Sequence, residues 1–364
     1  MEHYAKIFNN VQGGTMSQHA QVPMQQIGPV QIIGPEVNEQ IYVPLATYES
    51  PLWPSTIRGA KVSRSCAGIH CTVIDDRMTR SVLLQGNTAL DCHQAWLDIE
   101  ARFKELQQVV AKSSRFATLV EIHRQLVGNL LFIRFEFSTG DASGHNMATK
   151  SSDQLMAWIL KNYPQLEYLS ISGNFCTDKK ASCVNGILGR GKYVIAEAMI
   201  PRQVVKEVLK TTPEKIIELN IKKNLIGTQV AGTIRSANAH FANMLLGFYL
   251  ATGQDAANII EGSQGFVHAE LKQDHLYFST TLPNIIVGTI GNGKDLDFVQ
   301  ENLRKMGCLE SREPGANGRR LAIIAAATVF CGEISLMAAQ TNPGELMRAH
   351  VQFERKQPAA ESTT

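Results

Sequence analysis

Paired cysteines are the first thing missing from this sequence. Its seven cysteines are an odd number and none is spaced Cys-x-x-Cys, which excludes a disulfide scaffold and a four-cysteine zinc site and fits a reducing compartment. No metal is expected. A surplus of either charge is also missing: 35 Lys and Arg face 33 Asp and Glu, a net charge of +2. So even a balance leaves no electrostatic footprint for bulk binding to nucleic acid or an anionic membrane. Charged residues make up only 19% of the chain against 44% apolar, which excludes intrinsic disorder. Long apolar runs are absent too. The longest, Leu321 to Gly332, covers 12 residues, short of the roughly 20 that span a bilayer. The opening MEHYAKIFNN lacks the apolar centre of a signal peptide. The expectation is a soluble cytoplasmic protein with no membrane and no nucleic-acid partner.

What is present is enough chain, 364 residues, for about two domains. Residues 1–26 are polar, Gln-rich and aperiodic and read as an N-terminal arm; 356–364 read as a flexible tail. Between them, residues 80–172 switch repeatedly between period 2 and period 3.6. Ser81–Gln85 predicts a strand and Leu90–Lys112 a helix with Trp96, Ile99, Phe103, Leu106 and Val110 on one face. Phe116–Arg124 and Leu130–Thr139 predict strands joined through Gly128-Asn129. Ser152–Asn162 predicts a helix capped by Ser151 or Ser152, and Leu166–Ser172 a last strand. The order β-α-β-β-α-β is the ferredoxin-like motif. Residues 27–79 and 173–355 then form one discontinuous, larger, helix-rich domain into which this unit is inserted. Within it, Ile200–Lys210 opens with Pro201, Thr233–Ala251 is a small-residue helix, and Arg319–Ala339 is an apolar helix at the centre. The fold class is α+β.

The densest polar cluster is SGNFCTDKK at 172–180, just after the last predicted strand of the unit. An acid beside two lysines in a loop is ordinarily solvated charge. Here it follows a buried strand, where chains place functional groups, and a desolvated lysine can hold a proton or neutralise an oxyanion. Asp255 in TGQDAAN and Glu49 after QIYVPLATYE are ordinarily turn and strand-end acids. Brought together with Lys179 they would titrate as a coupled set suited to acid–base work. His350, fourteen residues from the C-terminus, is ordinarily a surface histidine; its functional reading is a proton donor on a mobile flap. DASGHNM at 141–147 and GTIGNG at 288–293 could approach a phosphate, but neither is the Gly-x-Gly-x-x-Gly of a Rossmann fold. Ser114-Arg115 could grip a phosphate monoester.

Taken together, ISGNFCTDKKAS, EVLKTT at 207–212, KNLIGT at 223–228, ANAHFAN at 237–243, GQDAAN at 253–258 and GEISLMAA at 332–339 resemble, in order, 3-hydroxy-3-methylglutaryl-CoA (HMG-CoA) reductase. PLATYE at 44–49, DRMTR at 76–80, SSRFA at 113–117 and RFEFSTGDASGHNM at 134–147 extend the resemblance, which covers roughly residues 27–355. It is nearer the class shared with eukaryotes than the divergent bacterial class. The resemblance implies NADPH-dependent, four-electron reduction of HMG-CoA to mevalonate and CoA through a hemithioacetal and mevaldehyde. It implies a small ferredoxin-like domain for NADPH, and active sites between subunits of a dimer or tetramer.

By position, the resemblance assigns Lys179 to the carbonyl oxygen, Glu49 to proton supply, Asp255 to ordering both, and His350 to protonating the departing CoA thiolate. Arg80, Ser172, Asp178, Lys180, Lys223 and Asn243 match the substrate-binding positions, and Ser55 and Arg58 lie near the CoA phosphates. Ser114, Arg115 and Phe116, with the cofactor loop Asp141, Ala142, Ser143, Gly144, His145, Asn146 and Met147, match the NADPH site. The chain departs from the family at residues 19–26, where HAQVPMQQ replaces a Glu-Asn-Val entry helix, at Tyr48 and Ser50 around Glu49, and at Arg235-Ser236. Lys356 stands where regulated relatives carry a phosphorylatable serine. Three rival readings are NAD-linked mevalonate oxidation on the same fold, a catalytically dead CoA-binding homologue, and a ferredoxin-like RNA binder using the aromatics of LLFIRFEF. Alternation in that strand puts Ile133, Phe135 and Phe137 on the core face and leaves Phe132, Arg134 and Glu136 opposite, with an acid where RNA would lie.

Overall fold

The computed structural model describes residues 20–354, with the side chains of 349–350 and 352–354 outside the described set. Among the described residues ten strands carry the architecture: β1 Met24–Gly34, β2 Val37–Ala46, β3 Ile69–Gly86, β4 Thr118–Val127, β5 Leu130–Ser138, β6 Leu166–Ser170, β7 Gly191–Pro201, β8 Ser236–Ala237, β9 Gly265–Lys272 and β10 His275–Ile285. The helices of nine or more residues are α1 Leu52–Ser65, α2 Ala89–Ala101, α3 Phe103–Ser113, α4 His145–Asn162, α5 Phe241–Ala251, α6 Asp297–Lys305, α7 Ala316–Gln340 and α8 Glu345–Glu354.

The larger body is built on a sheet in the order β2-β1-β3-β7-β10-β9-β8. Its inward positions are β-branched or aromatic, among them Ile27, Ile32, Val194 and Phe278, side chains that fit a half-buried pleated surface. That body, expected to be helix-rich, is therefore mixed, and its strands had shown only as scattered apolar runs. Helix α7 runs through its core. Apart from Arg319, Arg320 and Glu333 it is almost wholly apolar, and nearly all of it from Leu321 to Ala339 is buried inside the protein. Among the described residues it alone is long and apolar enough to cross a membrane, but a helix greasy all round is also what a large soluble core requires. Helix α1 crosses it at Gly59, where a Cβ would stand 2.0 Å from the Cys331 carbonyl oxygen, so only glycine admits that approach.

Strand β3 belongs to two sheets. Its first half pairs with β7 from His70 to Arg77; its second half pairs antiparallel with β5 from Met78 to Gln85 and with β6 from Leu83 to Gly86. With β4 on β5, the smaller sheet runs β6-β3-β5-β4, covered by α2, α3 and α4. Its core contains Trp96, Ile99, Leu106, Val110, Ile133, Phe135 and Phe137. Thr79 and Arg80 lie where β3 passes from one sheet to the other, which sets them at the seam between the two cores.

Several expectations shift. Strand β1 starts at Met24, so 24–26 are paired strand rather than arm. The helix expected over Leu90–Lys112 breaks at Arg102, whose guanidinium lies 4.4 Å from the Trp158 ring centre and grips Glu105 at 2.8 and 3.0 Å. Helix α4 begins at His145 rather than Ser152, behind Gly144 in the left-handed conformation (φ 92°); Ser151 and Ser152 are buried within it. The small-residue helix starts at Phe241, not Thr233. There the Phe241 N–H donates to Asn238 Oδ1 at 3.2 Å, and Glu333 accepts from the Ala239 and His240 N–H groups at 2.9 and 2.5 Å. Side-chain acceptors set that start, which periodicity does not register.

Candidate active site

A cleft of about 670 Å³ opens at the seam between the sheets. Three loops form its wall, locked together by backbone pairing and by the Gln254 side chain. The DASGHNM loop joins the 288–293 glycine loop through an Ala142–Ile290 bridge and a Thr289 N–H to Asp141 O bond of 2.8 Å. The same glycine loop is tied to TGQDAAN, since Gln254 donates to Gly288 O at 3.1 Å and accepts from Gly288 N–H at 3.0 Å. These loops present Asp141 through Met147, Asp255 and Lys294 to the cleft, while Arg80, Phe116, Asp178, Lys179 and Arg190 complete it.

Lys179 Nζ lies 2.7 Å from Asp255 Oδ2. The hydrogen bond that the ammonium donates to Asp255 holds its pKa above the ordinary value, with smaller help from the charges of Asp178 and Glu261. Burial pushes the Asp255 carboxyl up, but the Lys179 bond, the Ala257 N–H and the lysine charge outweigh it, and it settles below the ordinary range. Lys179 has a left-handed backbone, φ 54°, uncommon for a non-glycine residue. Its N–H donates to Glu261 Oε1 at 3.1 Å. Glu261 is fully buried and its pKa is raised by burial, against the pull of Arg190. Arg190, itself buried, donates to Asp178 Oδ1 at 2.6 Å, to Thr79 O at 2.7 Å and to Thr79 Oγ1 at 2.9 Å. Arg80 faces the other Asp178 oxygen at 3.8 Å.

His145 lies 3.8 Å from Asp178 Oδ1. Burial, then the charge of Arg190, pushes its imidazole down to about 4, so it is neutral at physiological pH, with its Nε2 buried and free of a hydrogen-bond partner. A second hollow of about 340 Å³ shares Phe116 and Met147 with the cleft and carries Ser114, Arg115 and Lys150. Ser114 Oγ accepts from the Phe116 and Ala117 N–H groups at 3.2 and 2.9 Å.

Glu49 is elsewhere. It lies in a pocket of about 240 Å³ with Ser55, Arg58, His240 and Asn243, and Asn243 Nδ2 donates to it at 3.0 Å. Arg58 is tied to Glu345 at 2.5 Å and to Ser335 Oγ at 2.9 Å. Helix α8 therefore starts at this pocket's mouth; it contains His350, whose side chain lies outside the described residues. Three expected substrate contacts line none of these spaces in the single chain. Lys180 is exposed, with Nζ on Asp178 O at 3.1 Å. The Ser172 N–H donates to Ser170 Oγ at 3.0 Å, and the Ser172 carbonyl accepts from that hydroxyl at 3.1 Å. Lys223, lowered by burial against the attraction of Glu333, donates to Asn224 at 3.1 Å.

Sequence reasoning missed Arg134, Arg190, Glu261 and Lys294. Arg134 and Glu136, expected on the face away from the core, are fully buried and bonded at 2.7 Å. Arg134 donates to Phe175 O at 3.1 Å and Asn185 Oδ1 at 3.0 Å, clamping the loop that carries Lys179 onto β5. Protein covers Arg134 and Glu136 on that face, and Phe132 beside them is half-buried. The available signal was an acid–base pair inside an otherwise apolar strand, which is costly unless partnered.

The fold is that of a known class of reductases. It is similar to solved structures of class II 3-hydroxy-3-methylglutaryl-CoA reductase from Streptococcus pneumoniae. One of these, bound to NADPH in open conformations, gives a TM-score of 0.69 at 17% identity, covering 92% of this chain and 88% of that one. Another gives 0.69 at 18% identity over 94% and 79%. In sequence the chain is 44% identical over 332 residues to the 3-hydroxy-3-methylglutaryl-coenzyme A reductase of Aeropyrum pernix, covering 91% of this chain and 78% of that relative. The enzyme so named from Pyrococcus horikoshii is 43% identical, covering 92% and 81%. The one from Xenopus laevis is 40% identical, covering 90% of this chain and 38% of that relative. The hydroxymethylglutaryl-coenzyme A reductase family model matches residues 14–355, and the chain belongs to that family.

Proposed function

We propose that this protein reduces HMG-CoA to mevalonate and CoA at the expense of two NADPH, serving isoprenoid precursor synthesis. The observation that carries the reading is the Lys179–Asp255 pair, 2.7 Å apart, at the head of a cleft continuous with a cationic hollow. The residues present suit a dinucleotide phosphate. Arg115 and Lys150 offer charge where a 2′-phosphate would lie. A Cβ at Gly144 would sit 2.6 Å from Thr139 Oγ1, so the α4 N-terminus presents bare backbone to the cleft, a setting that favours anions. Ser114, Arg115, Phe116 and Asp141 through Met147 would hold the cofactor.

NADPH, when bound, supplies the hydride for each of two carbonyl reductions. Lys179, kept protonated by Asp255, stabilises the oxyanion that develops on each carbonyl. Glu49 supplies a proton to the alkoxide and His350 protonates the thiolate of departing CoA. Arg80 and Asp178 orient the hydroxymethylglutaryl group, with Ser172, Lys180, Lys223 and Asn243 closing around it and Ser55 and Arg58 meeting the CoA phosphates.

Glu49 and the Lys179–Asp255 pair occupy different pockets of one chain, which supports a site completed by a second copy in a dimer or tetramer. Ile221, Leu225, Ile226 and Val230 expose apolar side chains along one helical segment, a surface suited to such contact. The strand order β6-β3-β5-β4 favours reading residues 80–172 as a ferredoxin-like NADPH domain inserted between 27–79 and 173–355. Seven unpaired cysteines suit a reducing cytoplasm.

Spectrophotometry with HMG-CoA tests the reading: two NADPH should be consumed for each CoA released, and a ratio of one, or no oxidation, would overturn it. His350→Gln should slow HMG-CoA turnover while sparing reduction of free mevaldehyde, which releases no thiolate. Equal slowing of both substrates removes His350 from that role.

A further inference from the structure

Lys294 stands apart among the cations of the cleft. Arg80 and Arg190 face Asp178, Lys179 faces Asp255, and Arg312 pairs with Glu310. Among the described residues no carboxylate pairs with Lys294. Its side chain is 95% buried by the glycine loop and its neighbours, with 5% of the residue exposed, yet it lines the cleft. Among the described residues its ammonium donates one hydrogen bond, to the Gly253 carbonyl. That contact depends on a tight glycine pair, since a Cβ at Gly253 would stand 2.3 Å from Gly293 O. Burial pushes the ammonium down to about 8. A lysine has three donors, and burying one without a counter-ion is costly. Such a cation is retained where a ligand brings the missing negative charge.

Building on the cofactor reading, we propose that Lys294 is an anion-binding residue that holds the diphosphate of the nicotinamide dinucleotide. The 2′-phosphate end of the trough has its own cations in Arg115 and Lys150. The reaction end has Lys179 and Arg80, both already opposed by acids. The diphosphate is the one anionic part of the cofactor between those ends, and Lys294, two residues past Asn292 on the glycine loop, is the cation left to meet it.

Equilibrium titration of NADPH fluorescence, without acyl-CoA, tests this. Lys294→Met should weaken NADPH binding about 10- to 100-fold, the range of losing one charge-assisted hydrogen bond, and Lys294→Arg should restore most of it. Adenosine 2′-monophosphate, which has the distal phosphate but no diphosphate, should bind wild type and Lys294→Met alike; Arg115→Ala should weaken it. Unchanged NADPH affinity in a folded Lys294→Met overturns the proposal. So does a rise in the KM for HMG-CoA with NADPH affinity intact, which would make the substrate carboxylate the anion. Failure of the wild type to bind NADPH would instead overturn the cofactor reading.

Discussion

Lys179→Ala should lower turnover at least ~100-fold, the scale of losing a preorganised oxyanion stabiliser, while shifting the melting temperature by less than about 2 °C. The two effects separate because of where the side chain lies. It is 40% exposed, so it contributes little packing, and its exposed ion pair with Asp255 adds little stability. The Lys179 backbone is fixed independently, through its N–H on buried Glu261. The pH profile should show the same division. Asp255 raises the Lys179 pKa, so the ammonium persists through neutral pH and an alkaline fall in rate belongs to another group. The bond from Lys179 holds the Asp255 carboxyl below the ordinary carboxylate range, so the pair survives acidification until the pH falls through that lowered value. A Lys179→Ala enzyme within tenfold of wild type would remove the lysine from the chemistry.

Arg190→Met should cost about 3–5 kcal/mol of folding stability, the penalty for leaving a buried charge without its partner. Arg190 is 1% exposed and Glu261 is fully buried. Removing the guanidinium strands Glu261 and takes from Asp178 its 2.6 Å partner. It also cuts the tie to Thr79 on β3, so the two cores lose a bond across their seam. Chemical denaturation measures the loss. Arg190→Met combined with Glu261→Gln should recover part of it, because the second substitution neutralises the stranded carboxylate. A single-variant loss under about 1 kcal/mol would mean that water or a neighbour compensates the charge.

The smaller sheet was legible because its strands and helices alternate periods cleanly and its inward residues are large and apolar. Trp96, Ile99, Ile133, Phe135 and Phe137 all lie in the core that periodicity assigns them. The larger sheet was obscured by length and mixture. β3 serves two sheets over 18 residues, so its first half, IHCTVIDDR, carries polar residues that a search for alternating strands passes over. The starts of α4 and α5 were misplaced because a left-handed glycine and distant acceptors, not local serines, fix them. Among the candidate site residues, Lys179, Asp255, Arg80, Asp178 and the 141–147 loop do meet in one cleft. Glu49 was grouped with them by chemistry, and no feature of the local sequence reports that it lies in another pocket. The buried supports Arg134, Arg190 and Glu261 escaped notice because a charged residue in a single sequence looks solvated until its partners are known.

Division of the site between two copies is tested most directly by subunit complementation. Glu49→Gln and Asp255→Asn, each nearly inactive alone, would be co-expressed with different tags and assayed as the mixed assembly. If one copy supplies Glu49 to the Lys179–Asp255 cleft of the other, a mixed dimer holds one intact site of two, and the isolated mixed assembly should recover about half of wild-type turnover. Activity no higher than the residual rates of the two variants would place all of these groups in a single chain and contradict the shared site.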